Sequence, residues 1–224
     1  MTDDSYQVRR TQLEIPDANR LGKWASLWAD LTQALMALHE RSQLQSAPAT
    51  AFTRRALWES AIISYGRMQT SGKKRRLEHE DLLHKARGDR GIEFHEILMS
   101  WRHGHVGHRN SEEFEAVRVF ADHLDAAPDT LDSIRAEIVT SLGPPINSEL
   151  EKEFSAHVEA VRNTLWEQYL APIGEGLAKQ TPPGKPMAAA WESHPEAAER
   201  LTLELTLWAR ANGTGVGNRT PDTQ

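Results

Sequence analysis

No cysteine occurs among the 224 residues, which excludes disulfide staples, thiolate nucleophiles and cysteine-ligated zinc or iron–sulfur centres. Any chemistry must come from His, Arg, Lys, Asp, Glu, Ser or Tyr. Long apolar runs are lacking too, the longest falling far short of the roughly 20 residues a membrane-spanning helix needs. The opening Met1-Thr2-Asp3-Asp4-Ser5 places acids where a secretory leader would carry basic residues and an apolar run. A cytoplasmic protein with no membrane partner is therefore expected. Positive charge is in deficit: the formal net charge is −6, a poor fit to a protein that coats nucleic acid by neutralising phosphates. A local basic site stays open, because residues 60–77 hold Arg67, Lys73, Lys74, Arg75 and Arg76 and no acid.

What is present is an ordinary globular balance of 39% hydrophobic and 26% charged residues, enough for one generous domain with its own core. Residues 1–16 are polar and read as an arm. Asp17 or Asn19 then caps a helix whose Leu21, Trp24, Trp28, Leu31, Leu35 and Leu38 recur at three–four spacing and which ends between residues 39 and 43. A small-residue loop leads to a second helix with Trp58, Ala61, Ile62, Tyr65 and Met68 on one face, closed by Ser71-Gly72. The two stripes are expected to pack together. Residues 77–87 form a short helix broken by residues 88–91. A further helix carries Phe94, Ile97, Leu98 and Trp101, and the chain leaves it around residues 103–107, where Gly104 and Gly107 weaken helix.

Periodicity leaves residues 111–140 open between helix and strand. The alternation from Ile134 to Thr140 and the turn chemistry of Ala127-Pro128-Asp129-Thr130 favour a β-hairpin around 115–140. Ser148-Glu149-Leu150-Glu151 is a capping box for a long helix with Leu150, Phe154, Val158, Val161, Leu165 and Tyr169 on one side, which Pro172 kinks or stops. The fold class is thus mainly α, a helical bundle over 17–180 with a hairpin insertion. Residues 181–212 add a linker and a C-terminal helix that starts at Pro195 and ends near Ala211. Residues 213–224, poor in large apolar groups, read as a disordered tail.

One segment reads as a chemical site: Trp101-Arg102-His103-Gly104-His105-Val106-Gly107-His108-Arg109-Asn110. A guanidinium binds phosphate through paired hydrogen bonds, and an imidazole exchanges protons near neutral pH. Arg102 and His108 together suit a phosphodiester: His108 can deprotonate a ribose 2′-hydroxyl or protonate the leaving oxygen while Arg102 stabilises transition-state charge. The same histidines allow a second chemistry, since His103, His105 and His108 form His-Xaa-His-Xaa2-His. That pattern resembles the metallo-β-lactamase-type motif but has Gly107 where that family has Asp. A third reading is structural: His103 and His105 satisfy the last helical carbonyls, and His108 bonds within the core.

Arg102-His103-Xaa4-His108 resembles the Arg-Xaa(4–6)-His motif of the HEPN superfamily, in which the position after Arg is commonly Asn, Asp or His. The resemblance also takes in the two preceding helices and Tyr65-Gly66-Arg67, roughly residues 21–110. It implies a helical bundle that dimerises with the motifs of two subunits facing each other. In active members this is a metal-independent endoribonuclease of toxin–antitoxin or antiviral systems; others are inert nucleotide-binding or interaction modules. On this resemblance Arg102 and His108 are catalytic, and His103 supports them. The expectation is a homodimer acting on RNA, with no metal or cofactor and with an antitoxin or operon partner. His105 and Glu59 are further supporting candidates, Glu59 by orienting Arg102. Arg67, Lys73, Lys74, Arg75, Arg76 and Arg109 are candidates for guiding RNA. Trp24, Trp28, Trp58 and Tyr65 read as core.

Overall fold

The computed structural model describes residues 11–70, 77–108, 115–181 and 203–209, with positions 70, 107, 108, 127 and 128 described by their backbone alone. The three–four apolar spacing of the first helix is realised in α1, Pro16–Ser42. It opens ahead of the expected caps, on a proline whose missing N–H is harmless at the first helical position. Asp17 lies in the first turn and accepts a hydrogen bond from Arg20 at 2.6 Å. A 3-10 turn, Pro48–Thr50, leads into α2, Ala51–Thr70. Then come α3, His79–Arg87, and α4, Asp89–Trp101. Only Gly88, at φ 63, leaves helical space between them. The break expected through residue 91 is thus one residue wide, and Gly91 lies buried inside α4.

The chain divides into two units, residues 30–164, and residues 1–29 together with 165–224. In the first unit, α1 and α2 run antiparallel: Arg41 Nε donates to the Arg54 carbonyl at 3.0 Å, and Arg67 pairs with Asp30 at 3.3 Å. The expected α2 stripe of Trp58, Ala61, Ile62, Tyr65 and Met68 is wholly buried. Leu31, Ala34 and Leu38 of α1 join it, as do Phe94 and Leu98 of α4. Ile97 departs from expectation at 45% exposure, and Met99 and His95 take the inward positions. The first unit also holds the helix α5, Glu149–Leu165, whose Phe154, Val158 and Val161 are fully buried. Trp58 is the centre of this core, edge-on to Phe154 with centroids 5.6 Å apart and beneath the Arg41 guanidinium.

The capping box at the start of α5 forms only in part. The Ser148 hydroxyl accepts the Glu151 N–H, but the Glu151 carboxylate reaches back to the Asn147 N–H and takes a second bond from Arg41.

The expected hairpin is present as β1, Glu115–Leu124, and β2, Ala127–Thr140, paired antiparallel from Glu115↔Thr140 to Asp122↔Ser133. Its turn is at residues 125–126, earlier than the Ala127-Pro128-Asp129-Thr130 expectation. The register shifts after Asp122, pairing His123 with Leu131 and Leu124 with Ala127. The intervening residues of β2 form an irregularity. Proline and turn-forming residues therefore bulge the strand instead of reversing it, which an edge strand tolerates.

In the second unit, a π-helical segment Trp166–Leu170 precedes the helix α6, Ala171–Gln180. Pro172 does not stop the helix: it falls in the first turn of α6, and its missing N–H and ring are accommodated by the wider hydrogen-bond step just upstream. Trp24 packs edge-on to Tyr169 at 5.2 Å. Residues 203–209, expected to be helical, form no helix. Leu203, Leu205 and Leu207 alternate in burial with Glu204, Thr206 and Trp208, and Leu207 lies directly against Gly174. The remainder of the expected C-terminal helix, the first ten residues of the arm and the 213–224 tail lie outside the described residues. No helix among those described is long and apolar enough to cross a membrane.

Candidate functional site

The motif does not leave the helix where its glycines suggest. It continues from α4 as a seven-residue π-helical segment, Arg102–His108. Gly104 and Gly107 supply backbone freedom, and the i→i+5 bonds of a π turn keep the carbonyls paired. The segment starts from a fixed point, because Trp101 packs edge-on against the buried Trp58 with centroids 5.2 Å apart.

Arg102 is half-buried. Its stem lies across α2 at Gly66, where a β-carbon would come within 2.5 Å of Arg102 Cδ and 2.7 Å of its Nε. The absent side chain at position 66 is the groove in which the stem lies, so the Tyr65-Gly66-Arg67 stretch meets the motif in space. His108 closes the segment, and its backbone alone is described.

His105 turns inward and is 2% exposed. Its ring stands edge-on to Trp101 at 5.5 Å, and Nε2 is 3.8 Å from Glu59 Oε1. At that separation the contact is electrostatic and not a hydrogen bond. Glu59 also accepts a bond from Arg55 Nε at 2.7 Å, and Arg55 donates on to the Thr140 hydroxyl at 2.6 Å. Glu59, expected to orient Arg102, is thus engaged by Arg55 and His105. Through Arg55 this line also reaches the last residue of β2.

His103 is exposed and borders a cavity of about 360 Å³ with Gln69, His79, His95, Glu96 and Ser100. Arg67 keeps half its side chain in solvent while pairing with Asp30. Lys73, Lys74, Arg75, Arg76 and Arg109 lie outside the described residues. Trp24, Trp28, Trp58 and Tyr65 are buried as expected and present no face on which a base could stack.

Sequence reasoning missed a buried polar chain beneath the cavity. The Tyr65 hydroxyl stands 2.8 Å from His95 Nδ1 and 2.8 Å from His157 Nε2. A neutral imidazole carries one N–H, so one arrangement has one histidine donating to the hydroxyl and the hydroxyl donating to the other. The outer nitrogens, His95 Nε2 and His157 Nδ1, have no hydrogen-bond partner. Burial, helped by the neighbouring His79, lowers His95 to about 4. Burial, then Arg87 and His95, lowers His157 to about 3. Burial also holds the Tyr65 hydroxyl protonated. The signal was in the spacing: His95 is flanked by Phe94 and Leu98, and His157 falls on the stripe of Phe154, Val158 and Val161. A histidine on an apolar stripe asks for a buried partner.

Among the described residues no group of three or more His, Asp or Glu side chains is placed to hold a metal ion. No protein-family profile, curated protein or solved structure matches the chain.

Proposed function

We propose that the protein is a HEPN-like, metal-independent endoribonuclease of toxin or defence type, with Arg102 and His108 as the working pair and a second copy completing the site. The observation that carries this reading is the Arg102 stem laid in the Gly66 groove, at the head of a continuous segment that ends on His108. A half-buried arginine whose stem is held in a groove can present its guanidinium to a phosphodiester. His108 takes the proton of the 2′-hydroxyl, O2′ attacks phosphorus, and the P–O5′ bond breaks. The 5′-oxygen leaves with a proton from the second copy's imidazole, and Arg102 offsets the added charge of the phosphorane. His105, buried edge-on against Trp101, positions the segment from within.

Incubating the purified full chain with mixed RNA in EDTA tests this. The expected products are 2′,3′-cyclic phosphate and 5′-hydroxyl ends. Arg102→Gln and His108→Ala should each slow cleavage by about 10²–10⁴-fold. Intact RNA, or variants that cut like the wild type, would refute it, and cleavage appearing only with added zinc would favour the three-histidine site.

The exposed apolar hairpin favours a second reading, a non-catalytic helical module that binds a protein partner. Under that reading wild type, Arg102→Gln and His108→Ala are equally harmless on overexpression.

A further inference from the structure

The cavity beside His103 has a floor and a rim of different chemistry. Leu83, His95 and Met99 are buried beneath it, and His79 and Ile92 are half-buried at its sides. Gln69, Glu80, Glu96, Ser100 and His103 stand exposed around its mouth. The floor holds an unmet hydrogen bond: His95 is 6% exposed and turns Nδ1 to the Tyr65 hydroxyl, while its Nε2 has no partner. In either tautomer that nitrogen has one bond left to make, and leaving a buried polar atom unpaired costs stability. At about 360 Å³ the cavity lies at the low end of the roughly 300–1,000 Å³ of small-molecule sites, which suits a single flat ring system.

Charge narrows the occupant. Two carboxylates and, among the described residues, no lysine or arginine line the cavity, so an anionic group is repelled and N–H donors are favoured. The side wall offers a flat face, because the His79 ring stands 5.8 Å from that of His95 and unpaired bases stack on histidine as on other aromatic rings. Position narrows the occupant further. Gln69 lies one helical turn beyond Gly66, where the Arg102 stem rests, and His103 follows Arg102 directly. A nucleotide whose phosphate sits on Arg102 therefore has its base beside the cavity mouth.

We infer that this cavity is a recognition pocket for a guanine base of single-stranded RNA, an inference that rests on the ribonuclease reading of Arg102. Guanine carries N1–H and N2–H donors side by side, a match for the two oxygens of one carboxylate, and it carries the O6 and N7 acceptors on its other edge. Glu96 takes the paired donors. It shares one stripe of α4 with Ile92, Ser100 and, beyond the helix end, His103. His95 meets the acceptors, which selects the arrangement in which the Tyr65 hydroxyl donates to Nδ1 and Nε2 carries the proton. Adenine and cytosine bring one amino group and uracil one ring N–H, so none of them presents two adjacent donor groups to the carboxylate.

Titration calorimetry of the full chain at pH 7 with guanosine, adenosine, cytidine and uridine tests the pocket apart from any cleavage. Guanosine should bind about tenfold tighter than the other three, or better. Glu96→Gln, on the exposed rim, should keep the wild-type circular dichroism and weaken guanosine binding by about tenfold or more, because an amide offers one acceptor oxygen in place of two. With RNA as substrate, cuts should fall beside guanosine, and Glu96→Gln should spread them over all four nucleotides. No binding of guanosine up to its solubility, four nucleosides bound alike, or Glu96→Gln binding guanosine as wild type does would each overturn the pocket. Guanosine bound by a chain that leaves RNA intact would support the pocket and refute the nuclease reading, whereas RNA cut without regard to base would do the reverse.

Discussion

A methyl group at position 66 would stand 2.5 Å from Arg102 Cδ, and the Arg102 side chain would have to give way. Gly66→Ala thus separates two effects that usually travel together. In the body of α2 the change improves helix propensity by about 1 kcal/mol, so the melting temperature should hold or rise. The guanidinium moves, so under the proposed ribonuclease reading RNA cleavage should fall by about an order of magnitude or more. A stabilised variant that cleaves like wild type would detach Arg102 placement from the chemistry. The sequence pointed to Arg102 and His103 as neighbours in the motif. It could not show that a glycine 36 positions earlier forms the groove for Arg102, because that depends on how α2 crosses the π segment. His105 is the reverse case: its residue type suggested a site, and burial against Trp101 makes it an inward anchor.

Helical elements were the most legible, since three–four apolar spacing is a local property, and α1, α2 and α5 carry it on the faces they bury. Strand irregularity and helix widening were not. Pro128 and its neighbours have turn chemistry, but where the reversal falls depends on which side chains pair across β1 and β2. Nothing local distinguishes the i→i+4 from the i→i+5 step at Arg102–His108 or Trp166–Leu170. The alternation of Leu203, Leu205 and Leu207 is a local signal for extended chain that competes with Pro195 as a helix start. Between elements, Arg41 is a buried polar tie among the described residues. It donates to the Arg54 and Pro144 carbonyls and to Glu151 at 2.5 Å, joining α1, α2, the loop before α5 and the first turn of α5. Both partners of this pair are at most 3% exposed. Arg41→Met leaves the Glu151 charge buried, so the urea unfolding free energy should drop by about 3–5 kcal/mol. Arg41→Met with Glu151→Gln should recover much of that loss, and an unchanged midpoint in the single variant would show that the pair is not buried in solution.

Protonation of the buried histidines acts on the stability of residues 30–164 as a whole. In the unfolded chain both histidines take a proton near the usual 6.5, whereas the folded chain resists until about 4 at His95 and about 3 at His157. Between these limits the unfolded state binds more protons, so stability rises with pH. The contribution is complete above about 6.5 and is lost as pH falls through the folded values. The urea midpoint should therefore decline between pH 7 and 4, and His157→Gln should flatten that decline most clearly between pH 6.5 and 5, above the ordinary carboxylate range. A wild-type midpoint that is level over that window would mean the imidazoles are not held neutral by burial.

By itself the sequence determined the mainly helical class, the identity of most of the core, the existence of a hairpin and the absence of any thiol chemistry. Each of these follows from composition or from a repeat short enough to be read along one element. Tertiary packing alone decided that Arg102 lies on Gly66, that Glu59 faces His105, that Tyr65 bridges two histidines and that one face of the hairpin is left in water. Those facts are distances between side chains remote in the chain, as Arg41 and Glu151 are at 110 positions apart. They are set by how volumes fill a shared interior, which no local period encodes.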